Sequence, residues 1–197
     1  MIWNLPNVLT VLRLASAPAL ALVFVVLPRP LSDWAALALF VGAAITDWCD
    51  GYLARRWNQT SRFGAMLDPI ADKAMVITAL ALLLALFRLD PWLLVPATVI
   101  LFREVFVSGL REFLGPDAHR LKVTPLAKWK TTAQMVAITL LFLSLALGGQ
   151  DDALPGQAAR ATGVLGLALF WIAAVLTAIT GWDYFRKSLP FLAEPRP

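Results

Sequence analysis

Residues 69–88 read PIADKAMVITALALLLALFR, and from Ala74 to Phe87 the run carries no charged side chain. A helix that crosses a bilayer needs about 20 mostly apolar residues, because each adds ~1.5 Å against a hydrocarbon core ~30 Å thick. Five further stretches of the 197-residue chain qualify, at roughly 8–27, 33–53, 92–111, 126–148 and 160–183. Breakers separate most of them: Pro28-Arg29-Pro30, Asp90-Pro91, Gly115-Pro116, and the segment from Gly148 to Gly156. The expected fold is all-α: one domain over residues 1–197, an integral membrane bundle of six transmembrane helices.

Composition agrees. Hydrophobic residues make up 59% and charged residues 15% of the chain, whereas soluble domains carry about 45–50% and about 25%. The single cysteine, Cys49, excludes an intrachain disulfide framework and a multi-cysteine zinc site. The lone His119 argues against a histidine-rich metal site. A net charge of +4 reads as topology signals and contacts with anionic headgroups rather than nucleic-acid binding. The opening Met1-Ile2-Trp3-Asn4-Leu5-Pro6 has neither the charged region nor the cleavage site of a signal peptide.

Six crossings put both termini on one side, and the basic residues say which. With the N-terminus inside, the inner ends hold Arg13, Arg55, Arg56, Arg62, Lys73, Arg103, Arg111, Arg120, Lys122, Lys128, Lys130, Arg186, Lys187 and Arg196. The outer side holds only Arg29, Arg88 and Arg160. The positive-inside rule therefore expects cytoplasmic termini. Trp34, Trp92, Trp129 and Trp182 fall near helix ends, where interfacial anchors belong.

Carboxylates are expensive in a bilayer, so intramembrane aspartates are functional candidates. Asp47 and Asp50 lie three apart at the inner end of the second helix, and Asp68 and Asp72 four apart at the start of the third. Each spacing puts a pair on one helical face. A short connection would let the pairs face each other. Four bare carboxylates at close range repel, and divalent cations relieve the repulsion. Oxygen-only ligands suit Mg²⁺ or Mn²⁺, and two such ions about 3.5–4 Å apart suit phosphoryl chemistry. Gly51, Ala54 and Gly64 (the last placed in the connecting segment) permit close approach to the backbone, and Arg55 brings a planar fork suited to a diphosphate.

The run Asp47-Trp48-Cys49-Asp50-Gly51-Tyr52-Leu53-Ala54-Arg55, followed by Gly64, Asp68 and Asp72, resembles the CDP-alcohol phosphotransferase signature D-x2-D-G-x2-A-R-x8-G-x3-D-x3-D at all eight fixed positions. The resemblance implies a six-helix homodimer with cytoplasmic termini, in which an alcohol attacks the lipid-side phosphorus of a CDP-linked donor and CMP leaves. It implies Asp47, Asp50 and Asp68 on one metal, Asp47, Asp68 and Asp72 on the second, and Asp72 as general base. Gly51, Ala54, Arg55 and Gly64 would line the CDP pocket.

Three looser segments resemble the bacterial phosphatidylglycerophosphate synthases of that family: Asn4 to Arg13, Arg103 to Glu112, and Lys128 to Met135. They imply CDP-diacylglycerol and sn-glycerol 3-phosphate as substrates, at the bacterial cytoplasmic membrane with the site facing the cytoplasm. A phosphorylated acceptor needs cations, and Arg111 and Lys128 are expected to bind its phosphate, supported by Arg103 and Lys130, with Arg120 weaker. Sister acceptors are inositol phosphate, serine and phosphatidylglycerol. Outside the class, intramembrane acids also fit an ion transporter.

Several residues read more simply. Asn7 and Thr10 are expected to cap the first helix rather than touch nucleotide. Arg13, two turns in, reads at least as well as a snorkelling side chain as a substrate contact. Cys49 is expected to pack, His119 to be solvated, and Gly163 and Gly166 to ease helix packing.

Overall fold

The computed structural model describes residues 5–56, 61–115, 125–148 and 156–193, apart from the side chains of residues 48–55, 125–128 and 192–193. Six helices follow one another: α1 (Leu5–Val26), α2 (Leu31–Arg56), α3 (Arg62–Leu86), α4 (Pro91–Leu114), α5 (Pro125–Gly148) and α6 (Gln157–Ala193). Among the described residues there is no strand. Five of the helices contain windows apolar enough to cross a membrane, and α2, with 26 residues, is at least as long as α1, α3, α4 and α5. The exposed side chains include Val25, Phe102, Val105, Val164 and Trp182. Water would penalise such a surface, and lipid does not. The chain is a multi-pass membrane protein.

Two boundaries differ from the sequence reading. The third helix begins at Arg62 rather than near Pro69, because Ser61 caps it: the Gly64 N–H donates to Ser61 Oγ at 2.9 Å. Pro69 then sits inside the helix, where its ring removes a single backbone donor. Gly64 is therefore in the first turn of α3 and not in a connecting segment. The sixth helix runs to Ala193, beyond the apolar stretch, and its polar extension carries an i,i+4 pair, Lys187 Nζ to Asp183 Oδ2 at 2.6 Å. At the head of α4, Asp90 accepts the Trp92 N–H at 2.7 Å and Pro91 takes the first turn.

Packing follows from small residues. Ala36, Ala79, Ala97, Ala137 and Ala173 are fully buried and let helix backbones approach. Larger side chains, Phe40, Phe142, Phe170, Leu80 and Ile100, fill the remaining core. Gly166 meets α5 directly: a Cβ there would stand 3.2 Å from the Leu141 backbone nitrogen, so the expected packing role holds. α1 packs on α2 and α3, α6 on α5 and α4, and α2 on α5, whereas α3 touches α4 and α5 only lightly. That loose seam is where the site opens. In the connection between α1 and α2, Arg29 grips the buried Asp33 through Nε at 2.9 Å and Nη2 at 2.8 Å, and this bond raises the arginine pKa above its ordinary value.

Candidate active site

One face of α1 organises the acidic residues. Asn7, Thr10 and Arg13 recur every three residues, point the same way and are 3%, 2% and 2% exposed. Asn7 Oδ1 accepts the Ser61 hydroxyl at 2.7 Å, which ties α1 to the cap of α3. The Thr10 hydroxyl lies 2.8 Å from Asp68 Oδ1 and 3.1 Å from the Pro6 carbonyl oxygen. Arg13 Nη1 donates to both Asp47 Oδ1 and Asp72 Oδ1.

These contacts revise three expectations. Asn7 and Thr10 are not caps, since α1 begins at Leu5 and both side chains reach across to α3 or its cap. Arg13 does not snorkel. Its guanidinium is pulled inward by two carboxylates, which outweigh solvation at the interface.

Asp47 of α2 and Asp72 of α3 do converge, each with half of its side chain exposed. Asp68 is held one helical turn away by Thr10. The side chains of Asp50, Gly51, Ala54 and Arg55 lie outside the described residues, as do those of Cys49 and Lys128, and all of His119 and Arg120. Among the described residues no three acidic groups close into a metal cage. The donor set nevertheless fits a hard divalent ion: only carboxylate oxygens contribute, and Asp47 and Asp72 already share one cationic nitrogen.

A cavity of about 560 Å³ opens beside Asp72 in the seam between α3, α4 and α5. Lys73, Arg103, Glu104, Arg111 and Lys130 give it its charge. Lys130, 3% exposed, places Nζ 2.6 Å from Glu104 Oε1, and Arg103 Nη1 reaches the same oxygen at 3.1 Å. Arg111 is steadied from α6, with Nε 3.3 Å from Tyr184 Oη and the guanidinium 5.3 Å from the ring centroid. Three of the four cations expected from sequence therefore line one cavity with Asp72.

Sequence reasoning missed Glu104 and Tyr184. Glu104 carried a signal, being an acid within a spanning helix next to Arg103. Tyr184 carried none, since nothing in a lone tyrosine near a helix end names its partner. Gly181 was also passed over. A Cβ there would stand 2.9 Å from Arg103 Cγ, so the bare α-carbon makes room for the arginine stem. Arg103 also borders a second, apolar cavity of about 600 Å³ between α4 and α6, lined by Phe102, Phe106, Trp182 and Phe185.

Gly64 is buried against α1, and an added Cβ would stand 2.7 Å from Asn7 Oδ1. To clear it the Asn7 amide must give up its bond to the Ser61 hydroxyl, so Gly64→Ala is expected to destabilise the detergent-solubilised protein by about 0.5–1.5 kcal/mol. The thermal midpoint is the check, and an unchanged midpoint would show that α1 and α3 separate freely there.

The sequence profile described as CDP-alcohol phosphatidyltransferase matches residues 3–179. Among curated relatives, a protein of Cereibacter sphaeroides is 55% identical, with all of both chains covered. A Rickettsia bellii protein is 43% identical over 93% of this chain and 94% of its own. An Escherichia coli K12 protein is 41% identical over 95% of this chain and 96% of its own. All three relatives carry the name CDP-diacylglycerol–glycerol-3-phosphate 3-phosphatidyltransferase.

Proposed function

The chain belongs to the CDP-alcohol phosphatidyltransferase family, and from that premise we propose that it makes phosphatidylglycerophosphate. It transfers the phosphatidyl group of CDP-diacylglycerol to sn-glycerol 3-phosphate and releases CMP. The observation that carries this reading is the position of Asp72, which belongs both to the aspartate cluster and to the wall of the cationic cavity. A donor phosphate at the first and an acceptor phosphate in the second would bring the reacting atoms together at that residue.

Arg103, Arg111 and Lys130, with Lys128 two residues before the last, hold the acceptor phosphate. Their combined charge is what glycerol 3-phosphate requires and free glycerol does not. Asp72 accepts the proton of the attacking hydroxyl. The freed oxygen forms its bond to the lipid-side phosphorus, the bond from that phosphorus to CMP breaks, and CMP carries away the electron pair. Gly51, Ala54, Arg55 and Gly64 line the CDP pocket, with the Arg55 fork directed to the diphosphate. Asp47, Asp50, Asp68 and Asp72 hold two divalent cations, Mg²⁺ or Mn²⁺, which supply charge neutralisation for the diphosphate when bound.

The excess of basic residues at the same helix ends supports a site facing the cytoplasm, in a bacterial cytoplasmic membrane. We further propose a homodimer, in line with the family resemblance.

Purified protein supplied with labelled CDP-diacylglycerol, glycerol 3-phosphate and Mg²⁺ or Mn²⁺ is expected to release CMP, and chelator is expected to stop it. Inositol phosphate, serine and phosphatidylglycerol are expected to compete poorly. CMP release that one of these supports better would reassign the acceptor. Absence of metal-dependent release would remove the enzyme reading in favour of ion transport.

A further inference from the structure

The geometry points to Arg13 as a resident counter-cation of the aspartate cluster, a positioning residue that holds Asp47 and Asp72 together whenever divalent ions are away. This inference rests on the proposed metal site and concerns how the chain prepares it.

The argument is electrostatic. Asp47 and Asp72 come from different helices, α2 and α3, and like charges brought together push their helices apart. A third helix, α1, brings one guanidinium between them, and a single nitrogen, Nη1, donates to an oxygen of each. The donor side is buried, with Arg13 2% exposed, while the two carboxylates keep 50% and 51% of their side chains exposed. Arg13 therefore approaches from the protein interior and leaves the open side of both carboxylates accessible. The contacts around it fit this role: Thr10, one turn earlier on α1, holds Asp68, and Asn7, a turn before that, holds the α3 cap.

A guanidinium suits the task. It stays charged at any working pH and fixes its donors in a plane. Divalent ions, when bound, would supply the same charge balance, so the two kinds of cation would share one electrostatic task. An arginine that merely anchored α1 in the core would matter equally with and without metal. A counter-cation matters most without it.

The test compares Arg13→Gln, which removes the charge, with Arg13→Lys, which keeps it. Readouts are the thermal midpoint of the solubilised protein in chelator and in Mn²⁺, and Mn²⁺ affinity by electron paramagnetic resonance. Arg13→Gln is expected to lose roughly 6 °C or more in chelator, the scale for breaking a buried charge pair in a chain of this size. In saturating Mn²⁺ the deficit is expected to fall below about half of that, because the folded variant gains more from binding the ion than the wild type does. Its Mn²⁺ affinity is expected to exceed that of the wild type, by up to about tenfold, since a like charge has left the site. Arg13→Lys is expected to stay near wild type on both readouts.

A deficit of equal size in chelator and Mn²⁺ overturns the inference, as does a loss of Mn²⁺ affinity in Arg13→Gln. If Arg13→Gln does not fold in either condition, Arg13→Lys decides: wild-type behaviour supports a role of charge, and collapse refutes it. Wild-type protein that binds no Mn²⁺ would instead remove the metal reading on which this inference rests.

Discussion

Asp72→Asn is expected to lower turnover by about 100- to 10,000-fold, the contribution of a positioned general base. The amide keeps the size of the side chain and an oxygen that accepts from Arg13, so the bridge between α1 and α3 persists in part. What it loses is the ability to take a proton. Asp47, Asp50 and Asp68 remain as ligands, so much of the divalent-ion binding is expected to survive. Single-turnover CMP release, measured beside Mn²⁺ binding on the same preparation, separates the two properties. A variant that turns over near the wild-type rate would place the base elsewhere. A variant that loses metal and rate together would make Asp72 a ligand before anything else.

Lys130→Ala is expected to raise the KM for glycerol 3-phosphate by roughly 10–100-fold, the ~1.5–3 kcal/mol of a hydrogen bond to a charged group. Lys130 is almost fully buried on α5 and lies at the wall of the cationic cavity. Burial removes the screening that would otherwise weaken its hold on a phosphate. Arg103 would still neutralise Glu104, so the cavity should keep its shape. The KM for CDP-diacylglycerol is expected to change little, because no contact of Lys130 reaches Asp47 or Asp68. Arg111 is exposed, and its replacement by alanine is expected to act in the same direction with smaller effect. Equal rises in both KM values would mean that Lys130 supports the bundle as a whole and not the acceptor.

The placement of Asp47, Asp68 and Asp72 was legible in part because its information is local. Spacings of three and four set Asp47 with Asp50, and Asp68 with Asp72, on common faces before any packing is known. The cationic cavity was partly legible, since Arg111 and Lys130 sit near helix ends where the bilayer admits charge, and Arg103 stands out as a charge in mid-helix. The start of α3 was misplaced because Pro69 reads as a boundary, whereas a serine cap eight residues earlier outweighs it.

The role of Arg13 was not legible at all. A lone arginine in an apolar helix has the same sequence signature whether it reaches outward to headgroups or inward to acids. The choice depends on what the neighbouring helices present, and those neighbours lie 34 and 59 residues away. Glu104 with Lys130, 26 residues apart, and Arg111 with Tyr184, 73 apart, pose the same problem.

By itself the sequence determined that this chain forms apolar helices long enough to span a bilayer, and that two of them carry acids in facing-capable pairs. Both properties follow from the rise and period of a single helix. Only the tertiary structure decided which cation meets which carboxylate, and that Asp72 joins the acidic cluster to the cationic cavity. Helical period defines a face, but the rotation of each helix and the identity of its neighbour come from packing across the whole bundle.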